Sequence, residues 1–216
     1  MQKESIYSIK DAKYFQGARD DVVGLLPTAP NRVLELGCGA GRTLMNARQQ
    51  GKASEIVGVD IIDRCAEHNM LDRYIQTDAD SLEVPYPFGY FDVIICADVL
   101  EHLVDPWQTV AHLRNYLKVG GMLVASIPNA RNYSMLTTLM FQGDFRYRDE
   151  GLFDRGHLRF FCRKNIMELF TANGFILEPF RFRLEKVRKL FNLVTCGLFS
   201  EFMVKQYLVI ARKTSN

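Results

Sequence analysis

The sequence predicts a doubly wound α/β fold, a mostly parallel sheet with helices on both faces. Three observations carry this expectation. Apolar strand-like runs alternate with amphipathic helix-like runs between Val33 and Ile127. The strands are apolar without interruption, FDVIIC at Phe91–Cys96 most clearly, as in strands covered on both sides. The stretch VLELGCGAGR, Val33–Arg42, ends a strand in three alternate glycines and then enters a helix. Chains turn this way around adenine-bearing ligands, at the carboxyl ends of parallel strands.

The elements follow in order. Val33–Leu36 reads as the first strand, Thr43–Gln50 as a helix, Glu55–Val59 as the second strand and Ile62–Asn69 as a short helix. Tyr74–Thr77 is a weak third strand and Phe91–Cys96 the fourth. A helix is expected over Asp105–Leu117, with Asp105 as cap, Pro106 in the first turn and Val110, Leu113 and Leu117 on one face. Lys118-Val-Gly-Gly breaks it before a fifth strand, Met122–Ile127. Residues 129–161 lose periodicity and read as an insertion on the acceptor side of a site. Asn165–Ala172 resumes as a helix stopped by Asn173-Gly174. Phe175–Arg183 and Phe202–Ala211 read as two antiparallel strands. Between them, Val187–Phe199 reads as a core or lid helix, its basic face being small for a membrane-surface helix.

Composition bounds the function. A chain of 216 residues that is 48% hydrophobic fits one globular domain, here residues 1–216, with 1–30 as an N-terminal cover. A net charge of +2 speaks against nucleic acid as a partner. The five cysteines form no CxxC pair, so neither a zinc site nor a disulfide framework is indicated. The polar N-terminus lacks an apolar signal core, and no apolar run reaches the ~20 residues of a transmembrane segment. A cytoplasmic location is expected.

The glycine loop poses a choice between a pyrophosphate and a ligand without phosphate. Gly37, Gly39 and Gly41 give GxGxG, and Arg42 stands where a dinucleotide fingerprint needs a third glycine for close helix packing. Glu35 points the same way. A carboxylate there repels phosphate at a cost on the order of 4 kcal/mol at ~4 Å, but suits an ammonium group. S-adenosylmethionine (SAM) carries adenosine, an α-ammonium, a carboxylate and a sulfonium, and no phosphate. Glycines admit it closely, and amides at the helix start can meet its carboxylate. Asp60 ends the second strand about 20 residues on, where a carboxylate accepts ribose hydroxyls, a spacing shared by nucleotide folds in general. Asp78 follows the third strand, either as an adenine contact or as a solvated loop acid.

The segments VLELGCGAG (Val33–Gly41), IVGVD (Ile56–Asp60), TDADSLEVPYPFGYFDVIICADVLEHL (Thr77–Leu103) and LKVGGMLVASIPN (Leu117–Asn129) resemble the class I SAM-dependent methyltransferases, in that family's order. The resemblance implies a Rossmann-like seven-stranded sheet whose last strand is antiparallel and inserted beside the fifth. It implies that Glu35, Gly37, Cys38, Gly39 and Gly41 contact the methionine part of SAM. Asp60 and Ile61 would then hold the ribose, Asp78 and Ala79 the adenine, and Ala97 and Asp98 would border the sulfonium. S-adenosylhomocysteine would be the product. In this family the N-terminal segment, here with Tyr7, Tyr14 and Phe15, often covers the cofactor.

Methyl transfer is an in-line displacement in which positioning supplies roughly 7–11 kcal/mol, and a hydroxyl nucleophile benefits from a general base. His68 and His112 sit on expected helix surfaces. His157, in DEGLFDRGHLRFF (Asp149–Phe161), is the first candidate base; the alternative is a hydrogen-bonded structural histidine. His102, in ADVLEHL, is the second; there Glu101 and His102 either shape the loop or join Asp98 around a divalent metal. Asp98, Glu101 and His102 resemble the E-x-x-E-H arrangement of some quinone-precursor and RNA-end methyltransferases, with Asp98 for the first Glu and no further downstream histidine evident. Arg131, Arg146, Arg148, Arg155, Arg159 and Arg163 either neutralise an anionic acceptor or form a solvated basic surface. Tyr133, Phe141, Phe145, Tyr147 and Phe153 either stack on an acceptor or pack the insertion. SIPN and DEGLFDRGHLRFF are similar to methyltransferases of bacterial surface-polysaccharide synthesis. The expected function is methyl transfer to a hydroxyl of a small or glycosyl acceptor. The alternatives are a quinone-precursor O-methyltransferase, metal-assisted or not, and a SAM-binding regulator or scaffold without turnover.

Overall fold

A computed structural model describes residues 17–61, 70–182, 197 and 199–215. The expected helix at Ile62–Asn69 with His68, the aromatic cover residues Tyr7, Tyr14 and Phe15, and most of Val187–Phe199 lie outside the described residues.

The described elements run β1 (Asn31–Leu36), β2 (Ala53–Asp60), β3 (Arg73–Gln76), β4 (Phe91–Ala97), β5 (Leu117–Pro128), β6 (Phe175–Leu177) and β7 (Gln206–Lys213). The helices are α1 (Asp20–Val23), α2 (Arg42–Gln49), α3 (Pro106–Tyr116), α4 (Tyr133–Thr137), α5 (Arg163–Thr171) and α6 (Ser200–Met203). The seven strands form one sheet in the order β3-β2-β1-β4-β5-β7-β6. The first five are parallel, and β7 runs antiparallel to both β5 and β6. This is the Rossmann-like sheet the sequence anticipated, with its crossover between β1 and β4. There the chain direction of winding reverses and a crevice opens at the strands' carboxyl ends.

Strand alternation divides the core. Leu34, Leu36, Ile94, Cys96 and Leu123 pack with Val110 and Leu113 of α3 and Ile166 and Phe170 of α5. Val33, Ile56, Val93, Ile95 and Val124 pack on the other face with Val22 and Val23 of α1 and Leu44 and Ala47 of α2. Each such Val, Leu, Ile or Phe side chain, fully buried, contributes about 1.5–3 kcal/mol. By the same two-residue period Glu35 shares Val33's face, so its carboxylate sits beneath α2, not on the α3 side.

Three boundaries differ from the sequence reading. Lys118-Val-Gly-Gly does not interrupt the sheet: β5 starts at Leu117, opposite Phe91, and absorbs the glycines as a register shift before Met122. Gly121 is required there, since a Cβ would sit 2.9 Å from the Lys118 carbonyl and 3.0 Å from that of Asp92. Both are rigid backbone atoms, so Gly121→Ala should destabilise by about 1–3 kcal/mol, read as a lower denaturant midpoint at unchanged slope. Next, β6 is only three residues long; beyond it, among the described residues, an isolated antiparallel bridge joins Arg181 to Leu208. Last, β7 begins at Gln206, because Ser200–Met203 closes into a helical turn.

Candidate active site

A cavity of about 720 Å³ opens at the carboxyl ends of β1, β2 and β4. Gly37, Cys38 and Gly39 form one wall with Glu35 beneath them, and Asp60 and Ile61 follow from β2. Asp78 and Ala79 line it as well, as do Ala97 and Asp98, beyond which lies a second part. The second part is lined by Glu101, His102, Asp154 and His157. Of the residues singled out in the sequence for the donor, Gly41 does not line the cavity. It makes the left-handed turn at the start of α2 (φ 72°), where a Cβ would press on Leu71.

The donor loop is tied down from behind. The amides of Gly37 and Cys38 donate to the Val59 carbonyl at 2.8 and 3.1 Å. That of Gly39 donates to Asp60 Oδ2 at 2.8 Å, and that of Gly41 to the Cys38 carbonyl at 2.8 Å. Asp60 thus shapes the loop as well as facing the cavity. Asp78 accepts from the Asp80 amide at 3.0 Å, capping the turn Ala79–Ser81.

Glu35 is 2% exposed, and its Oε2 is buried without a hydrogen-bond partner. Burial pushes its carboxyl up to about 8; the Thr43 hydroxyl and Arg19 pull it down, while Asp60 adds to the rise. A buried acid with an unmet oxygen fits the α-ammonium of SAM and would be repelled by phosphate. The residues present therefore suit the donor that the sequence suggested.

Asp98 has a left-handed backbone, φ 56°, which a residue with a side chain seldom adopts. It is held there by Arg19 and Gln206, which both donate to its carboxylate, and by Ser126 Oγ at 3.2 Å. Burial raises its pKa, partly offset by Arg19.

At the acceptor end, the Leu100–His102 turn and residues 154–159 are laced together. His102 Nδ1 lies 2.8 Å from the Gly156 carbonyl. A carbonyl only accepts, so Nδ1 carries the proton and Nε2 is the basic nitrogen of the neutral ring. The amides of Leu158 and Arg159 donate to the Glu101 carbonyl at 2.9 and 3.0 Å. The two imidazole rings lie 4.8 Å apart, edge to face, and His157 Nε2 is 4.0 Å from Glu101 Oε1. Glu101 is 1% exposed with Oε2 unpartnered; burial, then the nearby Asp98 charge, holds its pKa well above the carboxylate range. Ligating atoms of Glu101, His102 and His157 all lie within 4.8 Å of one another. His157 thus joins Glu101 and His102 in this set, and Asp98, which the sequence grouped with them, is not part of it.

The other candidates settle variously. His112 is not exposed as expected: its ring packs edge-on against Tyr116 and its Nε2 is buried. Five of the six arginines singled out after Pro128 are engaged. Arg131 and Arg163 pair with Glu201, Arg146 with Asp144, Arg155 with Asp149, and Arg159 donates to the Val104 carbonyl. Arg148 lines the cavity. Phe145 stacks on Tyr147, Phe153 and Phe160, so these rings mainly build the wall, while Phe153 also faces the cavity. Arg19, Thr43, Ser126, Asp154 and Gln206 escaped the sequence reading. Only the fold joins Arg19 to Asp98, 79 residues away.

Comparison with known proteins agrees with this geometry. Residues 11–178 match a protein family described as a methyltransferase domain. The chain is 31% identical over 115 residues to the 27-O-demethylrifamycin SV methyltransferase of Amycolatopsis mediterranei, covering 48% of this chain and 41% of that protein. It is 25% identical over 185 residues to the ubiquinone biosynthesis O-methyltransferase of Xanthomonas campestris pv. campestris, covering 77% of this chain and 75% of that one. The chain thus spans under half the length of the first relative and about three quarters of the second. A SAM dependent methyltransferase from Archaeoglobus fulgidus superposes with a TM-score of 0.66 at 20% identity, covering 93% of this chain and 97% of that one, and so shares the fold. A cavity built for a zwitterionic nucleoside, on this sheet and in this family, gives the conclusion that the chain belongs to the class I SAM-dependent methyltransferases.

Proposed function

We propose that the chain methylates a hydroxyl of a small or glycosyl acceptor bound against Glu101, His102 and His157. The observation that carries this reading is the convergence of two imidazoles and a buried carboxyl beside Ala97 and Asp98. The donor supplies an electrophilic methyl group on a sulfonium. Glu35 anchors the ammonium, the glycine loop admits the chain of the methionine part, and Asp60 accepts from the ribose. Asp78 and Ala79 border the adenine. His157 takes the proton of the acceptor hydroxyl as the new carbon–oxygen bond forms and the donor's carbon–sulfur bond breaks to release S-adenosylhomocysteine. His102 acts through its bond to the Gly156 carbonyl, which fixes the neighbouring His157. The wall around them keeps water from competing.

The test is incubation with labelled SAM and a panel of sugar nucleotides, glycosides, quinone precursors and RNA. Label on a sugar hydroxyl supports the glycosyl reading, as expected for an enzyme of surface-polysaccharide synthesis. Label on a quinone precursor favours the alternative. Tight donor binding with no product from any acceptor favours a regulator or scaffold.

One observation favours a metal-assisted version. Glu101, His102 and His157 form a carboxylate–imidazole set that fits a divalent cation, and Glu101 Oε2 lacks a partner. Asp98 is not part of that set, being held by Arg19, Ser126 and Gln206. A bound ion would lower the pKa of the acceptor hydroxyl. Dialysis against a chelator should then abolish turnover, and Mg²⁺, Mn²⁺ or Zn²⁺ should restore it. Turnover that survives chelation retires this version.

A further inference from the structure

We infer that Ser134 and Thr138 select the acceptor, each accepting a hydrogen bond from a ring hydroxyl of a polyhydroxylated, glycosyl substrate. The inference rests on the hydroxyl-methylation reading above and narrows its acceptor. Both side chains line the cavity. They stand four residues apart, on α4 and at the start of the π-helical turn Thr138–Gln142, and so share one helix face. α4 follows the carboxyl end of β5, on the far side of β4 from the glycine loop that ends β1. With the donor in that loop, this side is left for the acceptor.

The direction of each hydroxyl is fixed by its own chain. Asn132 is fully buried, and its Nδ2 donates to the Val204 carbonyl at 3.1 Å, which leaves Oδ1 as the acceptor facing Ser134. That oxygen receives the Ser134 amide at 3.1 Å and the Ser134 hydroxyl at 2.7 Å. The Thr138 hydroxyl donates to the Ser134 carbonyl at 2.8 Å. A carbonyl only accepts, so both hydroxyl protons are committed within this segment. What the two oxygens offer the cavity is lone pairs, and among the described residues neither accepts a hydrogen bond in return. Such a wall suits a ligand rich in O–H donors. Glu150 and Asp154 add carboxylates to the same lining, and Phe153 adds an apolar face for ring carbons. A sugar meets both demands. A flat quinone precursor carries few hydroxyls and presents one of them to His157.

The experiment uses the full chain and labelled SAM, with UDP-hexoses and methyl hexosides as glycosyl acceptors and a catechol as the quinone-type one. Methyl transfer to a glycosyl acceptor is expected. Thr138→Val and Ser134→Ala should each raise its KM by about 3- to 10-fold, the range of one neutral hydrogen bond, with kcat within about twofold. Thr138→Ser should keep the KM of the unaltered protein. In Thr138→Val the Ser134 carbonyl still accepts from a backbone amide at the helix end, so the melting temperature should move by no more than a few degrees. With the unaltered protein, deleting the contacted hydroxyl from the sugar should raise KM by the same factor, and Thr138→Val should then add nothing. Transfer to the catechol alone, or a KM that neither variant changes, would overturn the inference and leave the hydroxyl reading standing. A fall in kcat at constant KM would make the two residues structural and overturn it as well. If S-adenosylhomocysteine binds but no hydroxyl acceptor is methylated, the hydroxyl reading itself has failed, and this inference falls with it.

Discussion

Replacing Glu35 with glutamine is expected to weaken donor binding by on the order of 100-fold while making the ligand-free protein more stable at pH 8. The first effect follows from losing the buried anion that faces the ammonium. The second follows from proton linkage. The folded chain keeps the Glu35 proton until about pH 8, whereas an ordinary glutamate releases it near 4.5. Between those values the unfolded chain holds fewer protons than the folded one, so the stability this group contributes below pH 4.5 drains away as pH rises to 8. Glutamine removes that titration, although its amide must find partners in the same tight site. The net gain at pH 8 should be about 1–3 kcal/mol, or a few degrees in melting temperature, and little or nothing at pH 5. Donor affinity of the unaltered protein should rise about tenfold per unit from pH 6 toward 8, since binding expels the Glu35 proton. Calorimetry and thermal melts across this range check both signs. A variant that binds donor normally would remove Glu35 from the site.

The next largest effect belongs to His157. His157→Ala should lower kcat by about 10²–10⁴ while changing donor affinity less than twofold, because the imidazole lies on the acceptor side of Asp98. His102→Ala should also lower kcat, through slackening of the Gly156 contact that holds the His157 loop. Adding a higher-pH arm separates the two. Raising the pH ionises part of the acceptor, which substitutes for a missing base and so narrows the gap for His157→Ala. It does not restore the loop geometry lost in His102→Ala. Unchanged turnover in His157→Ala would take that residue out of the mechanism.

The cavity wall formed by the glycine loop was legible in the sequence because its logic is local. A strand, a loop and a helix start within ten residues place Glu35 and the glycines, and a two-residue period assigns Glu35 its face. Asp105 was readable as a cap for the same reason, and its carboxylate does accept from the Gln108 amide at 3.0 Å. The acceptor half depends on contacts between distant segments. His102 and Gly156 are 54 residues apart, so neither the trio with Glu101 nor the role of Asp98 could be read from spacing. Arg19 carried no motif at all. The short β6 and late β7 were misjudged because apolar content alone cannot separate a strand from the helical turn Ser200–Met203.

The central claim is that this glycine loop receives a zwitterion without phosphate. Titration calorimetry of the full chain with S-adenosylhomocysteine and with NAD tests it most directly. The geometry predicts one molecule of S-adenosylhomocysteine bound per chain with micromolar or tighter affinity, with proton release below pH 8 and no heat from NAD. Binding of NAD in the absence of any binding by S-adenosylhomocysteine would contradict it.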